Sequence, residues 1–89
     1  MKILFSQDAW EDLQHWIEAE EKVLQKILTI LKECQRTPFS GTGKPEPLRG
    51  ELKGWWSRRV TQEHRLVYRV AGKAENQILE IAACRNHYG

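Results

Sequence analysis

Glu46, Arg59, Arg65, His87 and Tyr88 are the residues of this chain whose types could combine into chemistry. A carboxylate, a histidine and arginines suffice to cleave RNA without a metal. One group takes the proton from a 2′-hydroxyl and another protonates the departing 5′-oxygen, while guanidinium stabilises the charge that builds on phosphorus. Histidine suits either proton-transfer role, because its unperturbed pKa of about 6.5 lies near neutrality. The five residues come from a loop, two strands and the C-terminus, so only a fold can assemble them.

The elements that must position them begin with the stretch from Trp55 to Val70, where two β-branched and aromatic runs flank a polar turn, as in a hairpin. Strand alternation puts Leu66, Tyr68 and Val70 on one face and Arg65, Val67 and Arg69 on the other. In the first run Ser57 and Arg59 alternate against Trp56, Arg58 and Val60. The expectation is an apolar side and a guanidinium-rich side with no acids beside it, a surface suited to a polyanion. Glu46 stands between Pro45 and Pro47 in a loop running from Arg36 to Leu48, and the prolines hold it in extended backbone. Lys44 and Arg49 flank it.

Upstream, Lys2–Phe5 reads as a strand and Ser6 as the cap of a helix, with Asp8, Glu11 and Asp12 near its positive end. Ala9, Trp10, Leu13, Trp16 and Ile17 form one apolar stripe at helical spacing, expected to pack in the core, with His15 off it. The phase changes around Ala19–Glu21, predicting a tight link to a second helix running to about Gln35. Val23, Ile27, Ile30 and Cys34 make its core stripe. Leu24, Leu28 and Leu31 make a second, leaving apolar surface for a homodimer. Leu48–Gly54 reads as a short helical turn, Ala71–Asn76 as a turn, and Ile78–Cys84 as an interior strand.

Eighty-nine residues make one domain, residues 1–89, with one modest core. No apolar run could span a bilayer, and the opening segment is too short for a signal peptide, so the expected location is the cytoplasm. Cys34 and Cys84 are isolated, without metal-ligand spacing, and read as buried free thiols. The net charge of +2 is unevenly spread: residues 1–35 hold seven acids and four bases, residues 36–69 eight bases and three acids. Base therefore gathers on the loop and hairpin, which favours encounter with nucleic acid.

Several blocks of sequence closely resemble the YoeB family, RelE-like toxins of bacterial toxin–antitoxin pairs. They are Arg36-Thr37-Pro38-Phe39, Gly43-Lys44-Pro45-Glu46-Pro47-Leu48, Trp56-Ser57-Arg58-Arg59-Val60-Thr61, Glu63-His64-Arg65-Leu66-Val67-Tyr68 and Ala82-Ala83-Cys84-Arg85-Asn86-His87-Tyr88. The resemblance implies an α+β, RelE-like fold, with two N-terminal helices packed on a twisted, mainly antiparallel β-sheet. It implies a ribosome-dependent endoribonuclease that cuts mRNA in the A site without a cofactor. A YefM-type antitoxin would hold it inactive, and operator DNA would be met only through that complex. By position, Glu46 resembles the general base, His87 the general acid, and Arg65, helped by Arg59, the stabiliser of the scissile phosphate. Tyr88 would orient substrate or the proton-transfer groups, and Lys44 and Arg49 would contact RNA backbone. Arg49 stands where relatives often have lysine, and Gly89 follows a His-Tyr pair that commonly ends the chain. The rival reading is a catalytically inactive nucleic-acid-binding or co-repressor module.

Overall fold

The computed structural model describes residues 1–86. Its elements are β1 (Lys2–Phe5), α1 (Gln7–Ala19), α2 (Glu21–Cys34), β2 (Glu46–Pro47), β3 (Trp56–Arg59), β4 (Arg65–Ala71) and β5 (Ile78–Ala83). Short 3₁₀ turns at Gly50–Leu52 and Ala74–Asn76 lie where breaker residues predict turns. Ser6 caps α1, its hydroxyl accepting the Ala9 N–H at 3.0 Å, and Glu20 alone separates the helices.

One five-stranded sheet runs in the order β1-β5-β4-β3-β2. β1 pairs with β5 in parallel and every other neighbour is antiparallel. The apolar strand β5 is therefore interior, as its composition predicts. The core joins Ala9, Leu13 and Trp16 of α1, Val23, Ile27, Ile30, Leu31 and Cys34 of α2, and Leu66, Tyr68, Leu79 and Ile81 of the sheet. Fully burying a residue such as Ile27 or Ile30 stabilises the fold by about 1.5–3 kcal/mol. Both cysteines are free and buried, and burial pushes the Cys84 thiol up to about 12. No helix among the described residues is long and apolar enough to cross a membrane.

Three expectations need correction. Trp10 and Ile17 are 46% and 56% exposed, because α1 buries only the face that carries Ala9, Asp12, Leu13 and Trp16. Trp10 packs edge-on against Phe5 instead, with ring centroids 6.1 Å apart. The second α2 stripe is also narrower than its pattern suggests, since Leu31 is buried, Leu24 half-buried and only Leu28 exposed. The hairpin arginines, finally, do not all lack acids. Arg69 pairs with Glu80 across β4 and β5 at 2.8 Å and lies over the Trp55 ring.

Arg58 is the charge on the apolar side. It is wholly buried on the core side, where alternation with Trp56 and Val60 puts it. Its guanidinium pairs with Glu33 of α2 at 2.8 Å and donates to Tyr68 Oη and to the carbonyls of Thr37, Ser40 and Thr42. Glu33 also accepts the Thr42 N–H and hydroxyl, and these bonds, with the Arg58 charge, hold its carboxyl below the usual range. A single side chain thus fastens the loop before Glu46 to both α2 and the sheet.

Candidate active site

β2 is only Glu46–Pro47, an edge strand whose extended backbone follows from the two prolines around Glu46. Two features set its entry. Gly43 adopts a φ of +87°, its carbonyl accepts the Arg59 N–H at 2.7 Å, and a Cβ there would lie 2.7 Å from the Arg59 carbonyl oxygen. Lys44 follows with a left-handed φ of 51°, a strained geometry for a non-glycine residue. The loop is therefore pinned against β3 just before it delivers Glu46.

Register then assembles the site. Glu46 lies opposite Ser57, Ser57 opposite Val67, and Val67 opposite Ala83, so these four residues form a row across four strands. They line a cleft of about 650 Å³ together with Leu48, Glu63, Arg65, Arg85 and Asn86. Arg65 shares a face with Val67, two residues along β4, and its Nη1 reaches the Ser57 hydroxyl at 3.4 Å. Neighbouring strands are about 4.8 Å apart, so the Arg65 fork reaches one strand away from Glu46.

The hairpin arginines divide by partner. Arg58 and Arg69 are consumed by Glu33 and Glu80. Arg59 and Arg65 face each other across β3 and β4. Among the described residues Arg59 has no side-chain partner, and Arg65 has only the neutral Ser57 hydroxyl. Like charges set directly opposite each other destabilise a sheet. Such a pair is suited to an anion that spans both forks. The Glu46 carboxylate likewise is exposed and without a partner among the described residues.

The structure thus brings Glu46 and Arg65 into one cleft and places Arg59 beside it. Lys44 and Arg49 are exposed on either side of β2 and do not line the cleft. His87 and Tyr88 lie outside the described residues. Sequence reasoning missed Ser57, Glu63, Arg85 and Asn86 as lining residues. Period-two alternation did signal Ser57, which shares its face with Arg59, whereas Glu63 is in a turn and Arg85 follows the end of β5.

A family profile describing a YoeB-like toxin of bacterial type II toxin–antitoxin system matches residues 5–88. The chain belongs to the YoeB-like toxin family. It is 50% identical over 88 residues to toxin YoeB of Escherichia coli O6:H1, covering 99% of this chain and 100% of that one. The solved YoeB/ParE toxin from Agrobacterium tumefaciens matches with a TM-score of 0.93 at 45% identity, covering 99% of this chain and 100% of the other. A chain of the YoeB–YefM complex from Staphylococcus aureus matches at 0.87 and 40% identity, covering 99% and 98%. As a YoeB-like protein the chain is a toxin of a type II toxin–antitoxin system, and its fold is that of the RelE-like toxins.

Proposed function

We propose that this toxin is a ribosome-dependent endoribonuclease that cleaves mRNA in the A site and so inhibits translation. The observation that carries the reading is the Arg59–Arg65 pair, without an acidic partner among the described residues, beside a cleft that the Glu46 carboxylate also lines, itself without a partner among them. Glu46 takes the proton of the 2′-hydroxyl, whose oxygen forms a bond to the adjacent phosphorus. The bond from phosphorus to the 5′-oxygen breaks, and His87 supplies the proton that this oxygen takes up. The products are a 2′,3′-cyclic phosphate and a 5′-hydroxyl, with no net change in protons. Arg65, with Arg59, stabilises the extra negative charge of the five-coordinate phosphorus. Tyr88 orients the reacting groups, and Lys44 and Arg49 hold RNA backbone.

The partners that go with this activity are the ribosome and its mRNA, in the cytoplasm. A YefM-type antitoxin restrains the toxin, and operator DNA is contacted through that complex. A second copy of the chain pairs through the apolar surface that includes Leu28. Programmed ribosomes test the activity directly. The wild type should cut mRNA within the ribosome-bound codon and leave free mRNA intact. Glu46→Gln and His87→Gln should each slow cleavage by about 10²–10⁴-fold with unchanged circular dichroism. Ribosome binding without cleavage by the wild type would overturn the reading in favour of a binding module.

A further inference from the structure

His64 is in the turn between β3 and β4 and outside the set of residues so far given a role. Its Nδ1 accepts the backbone N–H of Asn86 at 2.9 Å. That nitrogen therefore carries no proton, and the neutral ring keeps its proton on Nε2. The ring stands edge-on to Trp16 of α1, with centroids 4.7 Å apart. Trp16 donates its Nε1–H to the Cys84 carbonyl at 2.9 Å, and Asp12 accepts the Cys84 N–H at 3.0 Å. The backbone leaving β5 is thus held at Cys84 by two α1 side chains and at Asn86 by His64. The next residue in the sequence is His87.

Packing accounts for the first two of these bonds, which satisfy polar groups in the core. It does not account for the third. The Asn86 amide is exposed, and water would satisfy it as well as an imidazole does. What water cannot supply is direction. We propose that His64 is a positioning residue of the candidate active site: as a neutral acceptor it anchors Asn86 and so sets the path by which the chain enters His87. The inference rests on His87 being the general acid. Displacement of a catalytic group by about 1 Å can cost up to roughly 100-fold in rate.

Two substitutions separate the acceptor from the ring. His64→Phe keeps an aromatic ring for Trp16 and removes the acceptor, whereas His64→Asn offers an amide oxygen near the Nδ1 position and removes the ring. Amide hydrogen exchange at Asn86 should accelerate about tenfold in the phenylalanine variant and stay close to wild type in the asparagine variant. Single-turnover cleavage on saturated ribosomes should fall roughly 10–100-fold with phenylalanine and be largely restored with asparagine. His64→Phe combined with His87→Gln should be no slower than His87→Gln alone, because the two changes disable one device. Unchanged Asn86 exchange in the phenylalanine variant would overturn the anchor. Losses that multiply in the double variant, or an asparagine variant as slow as phenylalanine, would overturn the route through His87. If the wild type itself cleaves nothing, the functional reading fails and the catalytic half of this proposal fails with it, while exchange still decides whether His64 anchors Asn86.

Discussion

Replacing Arg58 with methionine removes a charge and five hydrogen bonds from a position with no solvent exposure, while keeping much of the apolar stem. The three loop carbonyls belong to exposed residues, Thr37, Ser40 and Thr42, and water can replace the guanidinium there. Tyr68 Oη loses its donor in the core but keeps its own bond to the Pro38 carbonyl. Breaking a fully buried charge pair costs about 3–5 kcal/mol, and here the partial exposure of Glu33 and solvent access at the loop bring the expected loss to the bottom of that range, about 3 kcal/mol. An 89-residue domain has about 4–13 kcal/mol in total, so the variant would lose roughly a quarter to three quarters of its stability. Its thermal midpoint should fall by about 12–24 °C. Urea titration followed by circular dichroism and tryptophan fluorescence measures the loss, with an unchanged slope expected. Arg58→Lys should fall between the two, because an ammonium group cannot serve Tyr68, Glu33 and three carbonyls at once. In both variants the segment 36–43 should be cut earlier by proteases. A loss under about 1 kcal/mol in Arg58→Met would refute the reasoning.

Three further outcomes test other parts of the molecule. Arg65→Lys keeps the charge but loses the fork, so single-turnover cleavage should drop with little loss of ribosome binding, whereas Lys44→Ala and Arg49→Ala should mainly weaken salt-sensitive binding. An unchanged rate with Arg65→Lys would leave that residue a binding group only. Leu28→Glu should shift the free protein toward monomer in sedimentation across concentration, and a wild type that is monomeric throughout would remove the proposed dimer. The lowered carboxyl of Glu33 gives stability that is full above the ordinary carboxylate range, near pH 4.3, and is lost as pH falls through its lower folded value. The difference in urea midpoint between wild type and Glu33→Gln should therefore shrink on acidification, and parallel curves would contradict the assignment.

What could be read from residues alone was whatever local pattern decides. Ser6 as a cap, the break at Glu20, the interior character of β5 and the extended backbone at Glu46 all depend on neighbours in sequence. Trp10 and Ile17 misled because periodicity marks an apolar stripe without saying how wide a surface will cover it. Arg58 was legible only in part. Its alternation with Trp56 and Val60 pointed to the apolar side, where it is, but nothing nearby in sequence showed what would compensate a charge there, since the acid lies 25 positions away on α2. The cleft was half legible. Alternation placed Arg65 and Ser57 on the correct face, but only the register of β2 on β3 sets Glu46 against Ser57. His64 carried no signal at all, since its partner is a backbone amide 22 residues distant.

The place of β5 has a consequence for how the protein is made. Every other described element precedes it along the chain, yet it lies between β1 and β4, and Ser6 bonds to Ala82 across 76 residues. During synthesis, which adds about 5–20 residues per second, β1 has no partner strand until residues 78–83 have emerged. The cleft cannot exist earlier either, because Ala83, Arg85 and Asn86 are part of its lining. Until that stretch has been made, Glu46 and Arg65 sit on a chain that has neither the interior strand nor the far lining of the cleft they share.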